Sequence, residues 1–139
     1  MAVRAKAKGS LDGLIEFPVN DTQTIYAGDI VVLSSNKASI CADGAAAGTV
    51  LGISGTDIVT TTATSTDVIK VDLDPKRIYR MSYTGSATPT IGTKYDMGTA
   101  AYQFDSDDTD GGFIQVVGNI DTTNKFADVI LCNRVFGMA

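Results

Sequence analysis

Histidine and tryptophan are absent from this 139-residue chain, and Glu16 is its only glutamate. Without histidine the chain lacks the commonest general base, the usual partner of a serine or cysteine nucleophile, and the commonest zinc ligand, so most hydrolase templates fail. Without tryptophan it lacks the largest aromatic platform that carbohydrate sites use. All other acids are aspartates, which are depleted in helices and enriched in turns, and this argues against a helical protein. The two cysteines, Cys41 and Cys132, lie far apart and form no motif. They are expected to be reduced thiols packed as small hydrophobes, with a disulfide between them as the alternative, and two cysteines cannot build a Cys-rich zinc site. No run approaches the roughly 20 apolar residues of a membrane span, so no membrane partner is expected. The opening MAVRAKAKGS has no secretory apolar stretch after it, which sets the expectation of a protein made and kept in a cytoplasm. The balance of 11 basic against 16 acidic residues gives a formal charge of -5, a sign that repels phosphate backbones, and nucleic acid is not expected as a partner.

What remains is a chain with 44% hydrophobic and 19% charged residues, enough apolar material for one folded domain. In residues 1–10 Arg4, Lys6 and Lys8 are separated by alanines and closed by Gly9 and Ser10, a pattern that reads as a basic N-terminal arm. Residues 11–139 read as a single all-β domain. From Leu14 onward short apolar runs alternate with turn chemistry: Leu14 to Phe17, Thr24 to Tyr26, Ile30 to Leu33, Ser39 to Ala42 and Thr49 to Ile53. Further β-like runs follow at Ile58 to Thr64, Val68 to Leu73, Ile78 to Tyr83, Phe113 to Val117, Asn119 to Ile120 and Ala127 to Leu131. Most have about the usual strand length. Gly52 within its run predicts a bulge or a close backbone approach. In Val68 to Leu73, Lys70 and Asp72 alternate with Ile69, Val71 and Leu73, the period-2 pattern of a strand with one wet face. Pro75 then imposes a turn. The threonine-rich stretch Thr60 to Thr66 reads as an ordered edge hairpin, with a floppy loop as the alternative. Helical periodicity is weak throughout, and no repeat of fixed period indicates a propeller or solenoid.

The most ligand-like segment is Asp105-Ser106-Asp107-Asp108-Thr109-Asp110-Gly111-Gly112, whose carboxylates are of the kind calcium prefers. Counted from Asp105, however, the sixth position of an EF-hand loop is Asp110 rather than glycine and the twelfth is Val116 rather than glutamate. The segment reads instead as a solvated hairpin tip. A carboxylate-only enzyme would need an acid and base pair, whereas these aspartates fall where turns are expected. No catalytic residue, no metal site and no cofactor is assigned. Tyr79, Tyr83, Phe113 and Phe126 fall in or beside strand runs and read as core.

The segment FPVNDTQTIYAGDIVVLSSN followed by ADGAAAGTVLGIS resembles the opening of the small proteins that decorate, or cement, tailed-phage capsids. Gly92-Thr93-Lys94-Tyr95-Asp96, Phe113 to Gly118 and the closing run Val129 to Asn133 are similar to the second half of that pattern, so the resemblance covers most of the chain from Leu14. It implies an all-β small barrel, β-tulip or sandwich with an extended N-terminal arm. It implies no catalytic residue, and a homo-oligomer, with a trimer favoured and a dimer possible. The partner it implies is the major capsid protein, on the outer surface of the virion head. The longer threonine-rich and aspartate-rich loops depart from that pattern. The expected role is structural: a subunit that contacts two neighbouring capsomers binds the assembled shell and stabilises it by linkage. Arg4, Lys6 and Lys8 point to one side of an extended segment and are the expected capsid contacts. A phage tail or fibre component and a β-rich glycan-binding module are the alternatives.

Overall fold

The computed structural model describes residues 14–42 and 48–136, and every regular element among them is a β-strand. In chain order these are β1 (Leu14–Pro18), β2 (Thr24–Ile25), β3 (Ile30–Ser34), β4 (Lys37–Ile40), β5 (Val50–Ser54), β6 (Ile58–Val59) and β7 (Val68–Asp72). They continue with β8 (Tyr79–Thr84), β9 (Lys94–Tyr95), β10 (Gln103–Asp105), β11 (Ile114–Asp121) and β12 (Phe126–Leu131). The strands form two five-stranded sheets and a two-stranded ribbon, β2 with β6.

The first sheet has the order β1-β7-β5-β3-β4, with every neighbouring pair antiparallel. Its edges meet: beyond β1, Val19 bridges Ala38 of β4, and the Asn20 amide donates to the Ala38 carbonyl. The sheet is thereby a nearly closed five-stranded barrel, filled by Val19, Ile25, Val31, Ala38, Leu51, Ile69 and Val71, all essentially without solvent contact. Closure removes most of the exposed edge that an open sheet would present. The β3–β4 turn places Ser35 and Asn36 at positive φ (52° and 63°), the left-handed pair that matches the twist of a two-residue hairpin.

The second sheet has the order β10-β8-β12-β11-β9, in which β10 lies parallel to β8 and the other pairs are antiparallel. Its short edge strands are linked through a bridge between Met97 and Phe104. Alternate residues point inward, among them Met81 and Tyr83 of β8, Ile114 and Val116 of β11, and Val129 and Leu131 of β12. Phe104 sits between Tyr83 and Tyr95, with ring centroids 5.2 and 5.4 Å away. Ile30, Val50 and Ile53 of the first sheet pack into this same core, while their neighbours Val31 and Leu51 fill the barrel. Strands β3 and β5 are thus apolar on both faces because both faces are covered, which accounts for their continuous rather than alternating hydrophobic runs.

Several sequence expectations are refined. Gly52 combines both predicted features: the β3–β5 register shifts between Val31 and Val32, and a side-chain carbon on Gly52 would lie 2.1 Å from the Asp72 carbonyl oxygen. The run Ile58 to Thr64 is a strand only at Ile58–Val59, and Thr60 to Thr66 is not a hairpin. It is an anchored loop, in which Asp21 accepts from the Ala63 amide and Asp67 from the Thr64 amide. Side-chain acceptors there replace the ladder that a strand would use. The two runs Phe113 to Val117 and Asn119 to Ile120 are one bulged strand, β11. Of the two residues expected on the wet face of β7, Lys70 is exposed, beside Val68, but Asp72 is buried.

Candidate functional site

Chemistry concentrates in three places, beginning with the junction of the two sheets. After β12 the chain returns to the barrel: the Val135 amide donates to the Val50 carbonyl, and the Arg134 guanidinium enters the space above Gly52. There Arg134 donates to three backbone carbonyls: Leu51 (from Nε at 3.1 Å and Nη2 at 2.7 Å), Asp72 (2.7 Å) and Asp74 (3.2 Å). Beside it the Asp72 carboxylate accepts from Arg77 Nε at 2.9 Å, from the Tyr79 hydroxyl at 2.6 Å and from the Asp74 amide at 3.0 Å. Burial, and then the hydrogen bond to Asp72, push the Tyr79 hydroxyl well above the usual tyrosine range; burial lowers the Arg134 pKa. These groups are engaged with one another and with the backbone.

The second place is the acidic loop. Asp105 Oδ1 accepts from the Asp107 amide and Asp108 Oδ1 from the Asp110 amide, while Asp107 reaches across to the Ser86 and Ala87 amides. Those backbone bonds hold the Asp107 carboxyl below its usual pKa. The loop joins β10 to β11, which are not paired, so the expected hairpin tip is instead a connection between sheet neighbours of other strands. Among the described residues no three His, Cys, Asp or Glu side chains gather as metal ligands.

The third is a shallow, largely apolar cleft of about 420 Å³ between the β2–β3 loop and the turn before β10. Tyr26, Ala27, Gly28 and Asp29 form one wall, Ala101 and Tyr102 the other. The first wall is shaped by Asp29, which accepts from the Tyr26 amide at 2.9 Å, and by Asp57, which accepts from the Ala27 amide at 2.7 Å. The second is tied to the first sheet by the Ile30 amide donating to the Ala101 carbonyl. Tyr26 and Tyr102 are 57% and 55% exposed. The sequence reading placed Tyr26 in a strand and did not single out Tyr102. The available signal was position: Tyr26 directly precedes the Ala27-Gly28-Asp29 turn, and Tyr102 lies in the turn that Gln103 closes by donating to Ala100. By contrast Tyr83 and Phe113 are core, as expected. Cys41 and Cys132 are buried and form no disulfide with each other.

Arg4, Lys6 and Lys8 lie outside the described residues. No described helix is long and apolar enough to cross a membrane. Neither a protein-family model nor a curated protein matches this sequence.

Proposed function

We propose that this protein is a decoration protein of a tailed-phage head, attached to the outer surface of the capsid and bridging neighbouring capsomers. The observation that supports the reading is the division between the molecule's interior and its surface. The described buried polar side-chain atoms all have hydrogen-bond partners. Meanwhile Tyr26, Val59, Ile78, Ile91 and Tyr102, set in the β2–β6 ribbon and in the connections between strands, are 55–69% exposed. Polar groups so engaged offer a rigid body, and exposed apolar side chains offer contact area to another protein surface. A body that binds the assembled shell but not free coat protein stabilises the shell, and several copies joined as a homo-oligomer, a trimer in the favoured case, multiply the effect. The basic segment with Arg4, Lys6 and Lys8 supplies a salt-sensitive share of the attachment.

Co-sedimentation with purified heads that lack the protein tests this. The protein is expected to pellet with the heads and to raise the temperature at which they open. Replacing Arg4, Lys6 and Lys8 by alanine is expected to weaken binding and to flatten its salt dependence. Failure to pellet at low salt, together with recovery on tails or on a glycan array, would overturn the reading in favour of one of those roles.

A further inference from the structure

We infer that this chain associates with itself head to tail, the β2–β6 ribbon and adjoining cleft of one copy seating on the outer face of the second sheet of the next. The contact needs no capsid and goes beyond the decoration role. Its two faces divide between them the exposed apolar side chains named above.

The first face is the outside of the ribbon. Thr24 pairs with Val59, so alternation puts Thr24, Tyr26, Asp57 and Val59 on one side, while Ile25 is buried on the other. Thr24 and Tyr26 also line the cleft, with Tyr102 on its far wall. The charged groups here are carboxylates: Asp57 is exposed, Asp29 is buried in the cleft wall, and no lysine or arginine lines the cleft.

The second face is the outside of the second sheet. Met81 and Val129 point inward, and alternation turns Ile78, Arg80, Asp128 and Ile130 outward. Tyr79 pairs with Val129, so the residues on either side of that pair, Ile78 and Ile130, lie next to each other. In β11 the bulge after Val116 leaves Val117 37% exposed, and the Val116 carbonyl accepts from the Gly92 amide, which brings Ile91 alongside. An apolar strip thus crosses the sheet from Ile78 to Ile91. Cations predominate along it: Lys94 stands opposite Gln115, and the Arg80 side chain is 62% exposed, 3.5 Å from Asp128, the one acid between them.

These faces complement each other in charge, whereas either one against its own copy would set like charges opposite. The chain's formal charge of -5 disfavours contacts between copies in general, and so favours the one in which cations meet carboxylates. In area the faces also match. From their exposures, the apolar side chains of each offer on the order of 300 Å², the size of the largest apolar patch on a typical monomer. A standard interface takes about 800 Å² per partner, somewhat over half of it apolar, so these side chains supply most of the apolar part. Because the two faces are different surfaces, the contact is heterologous and continues into a ring or a chain of copies.

Sedimentation velocity of the full chain alone, from about 1 to about 100 μM, tests this. The native protein is expected to exceed the mass of one chain, and at the highest concentrations that of two. The variant with Tyr26→Lys and Val59→Lys, and the variant with Ile78→Asp and Ile91→Asp, are each expected to associate roughly 100-fold more weakly and to sediment as single chains. All four side chains are more than half exposed, so both variants should melt within about 3 °C of the native protein. Mixed in equal amounts, the two variants are expected to form a complex of one copy of each, since each keeps the face that the other lacks. A native protein that stays a single chain, or that stops at two, would overturn the inference. So would a variant that assembles like the native protein, or a mixture in which both variants remain single chains.

Discussion

Arg134 is 7% exposed and Gly52 has no side chain, and these two facts are one arrangement. A Gly52→Ala substitution would put a carbon 2.6 Å from Arg134 Nη2 and 2.1 Å from the Asp72 carbonyl oxygen, so the guanidinium and the β5–β7 contact must both give way. The expected cost is about 3 kcal/mol, combining overpacking with loss of charged hydrogen bonds. Arg134→Met, which removes the donors and leaves buried carbonyls without them, is expected to cost about as much. Either variant should melt on the order of 10 °C lower by circular dichroism while keeping a β-sheet spectrum. Tyr79 sets a second residue-scale expectation. Its pKa is raised in the folded protein, so the unfolded chain releases the proton first as pH rises. The stabilisation is therefore fully present below the ordinary tyrosine value of about 10 and is lost above it. Between pH 9 and 11 the melting temperature of the native protein should fall more steeply than that of Tyr79→Phe. Parallel curves would show that Tyr79 does not govern this limb.

Among the elements, the β10–β11 connection carries its aspartates as turn-formers rather than as a ligand set. Asp105 and Asp108 cap their own backbone, and Asp107 ties the loop to the Gly85–Ala87 turn. Millimolar calcium or EDTA is accordingly expected to leave the melting temperature unchanged within about 1 °C, whereas a bound ion well above its Kd would raise it by several degrees. The Asp107 carboxyl has a depressed pKa, so its contribution is present above the ordinary aspartate value and lost as pH falls below it. Asp107→Ala should lower the melting temperature at neutral pH and narrow the gap to the native protein near pH 2. The bulged strand β11 and the threonine loop teach the same lesson from the other side. Their residue types favour strand, but Thr61 to Asp67 finds its hydrogen bonds in Asp21, Asp67 and the backbone of Thr22, and no neighbouring strand is offered to it.

For the whole molecule, the question is whether two sheets behave as one unit. Ile30, Val50 and Ile53 reach from the first sheet into the second core, Ile40 packs against both cores, and residues 133–136 return to the barrel. Phe136 lies 6.2 Å from Phe17 of β1, ring centre to ring centre. Calorimetry is expected to show a single transition with equal calorimetric and van't Hoff enthalpies. A chain ending at Cys132 loses the Arg134 anchor but keeps both cores, and is expected to show a broadened transition with a van't Hoff enthalpy below the calorimetric one. Two-state unfolding of that truncated chain would mean that the shared apolar faces of β3 and β5 suffice for the coupling.

The all-β class was readable from residues alone, because it rests on local chemistry. Aspartate and glycine fall between β-branched runs, Ser35 and Asn36 make the β3–β4 turn where a break was expected, and a lone glutamate leaves little to favour helix. Gly52 and the alternation through Ile69 and Val71 were readable for the same reason, since a strand declares its two faces within a few residues. Strands β9 and β10 were missed as strands because two or three residues carry no period. The barrel closure through Val19 and Ala38, the burial of Asp72 and Arg134, and the meeting of Tyr26 with Tyr102 were not readable. Each joins residues between 19 and 76 positions apart, and only the packing of one sheet on the other decides which distant side chains share a space and which remain in water.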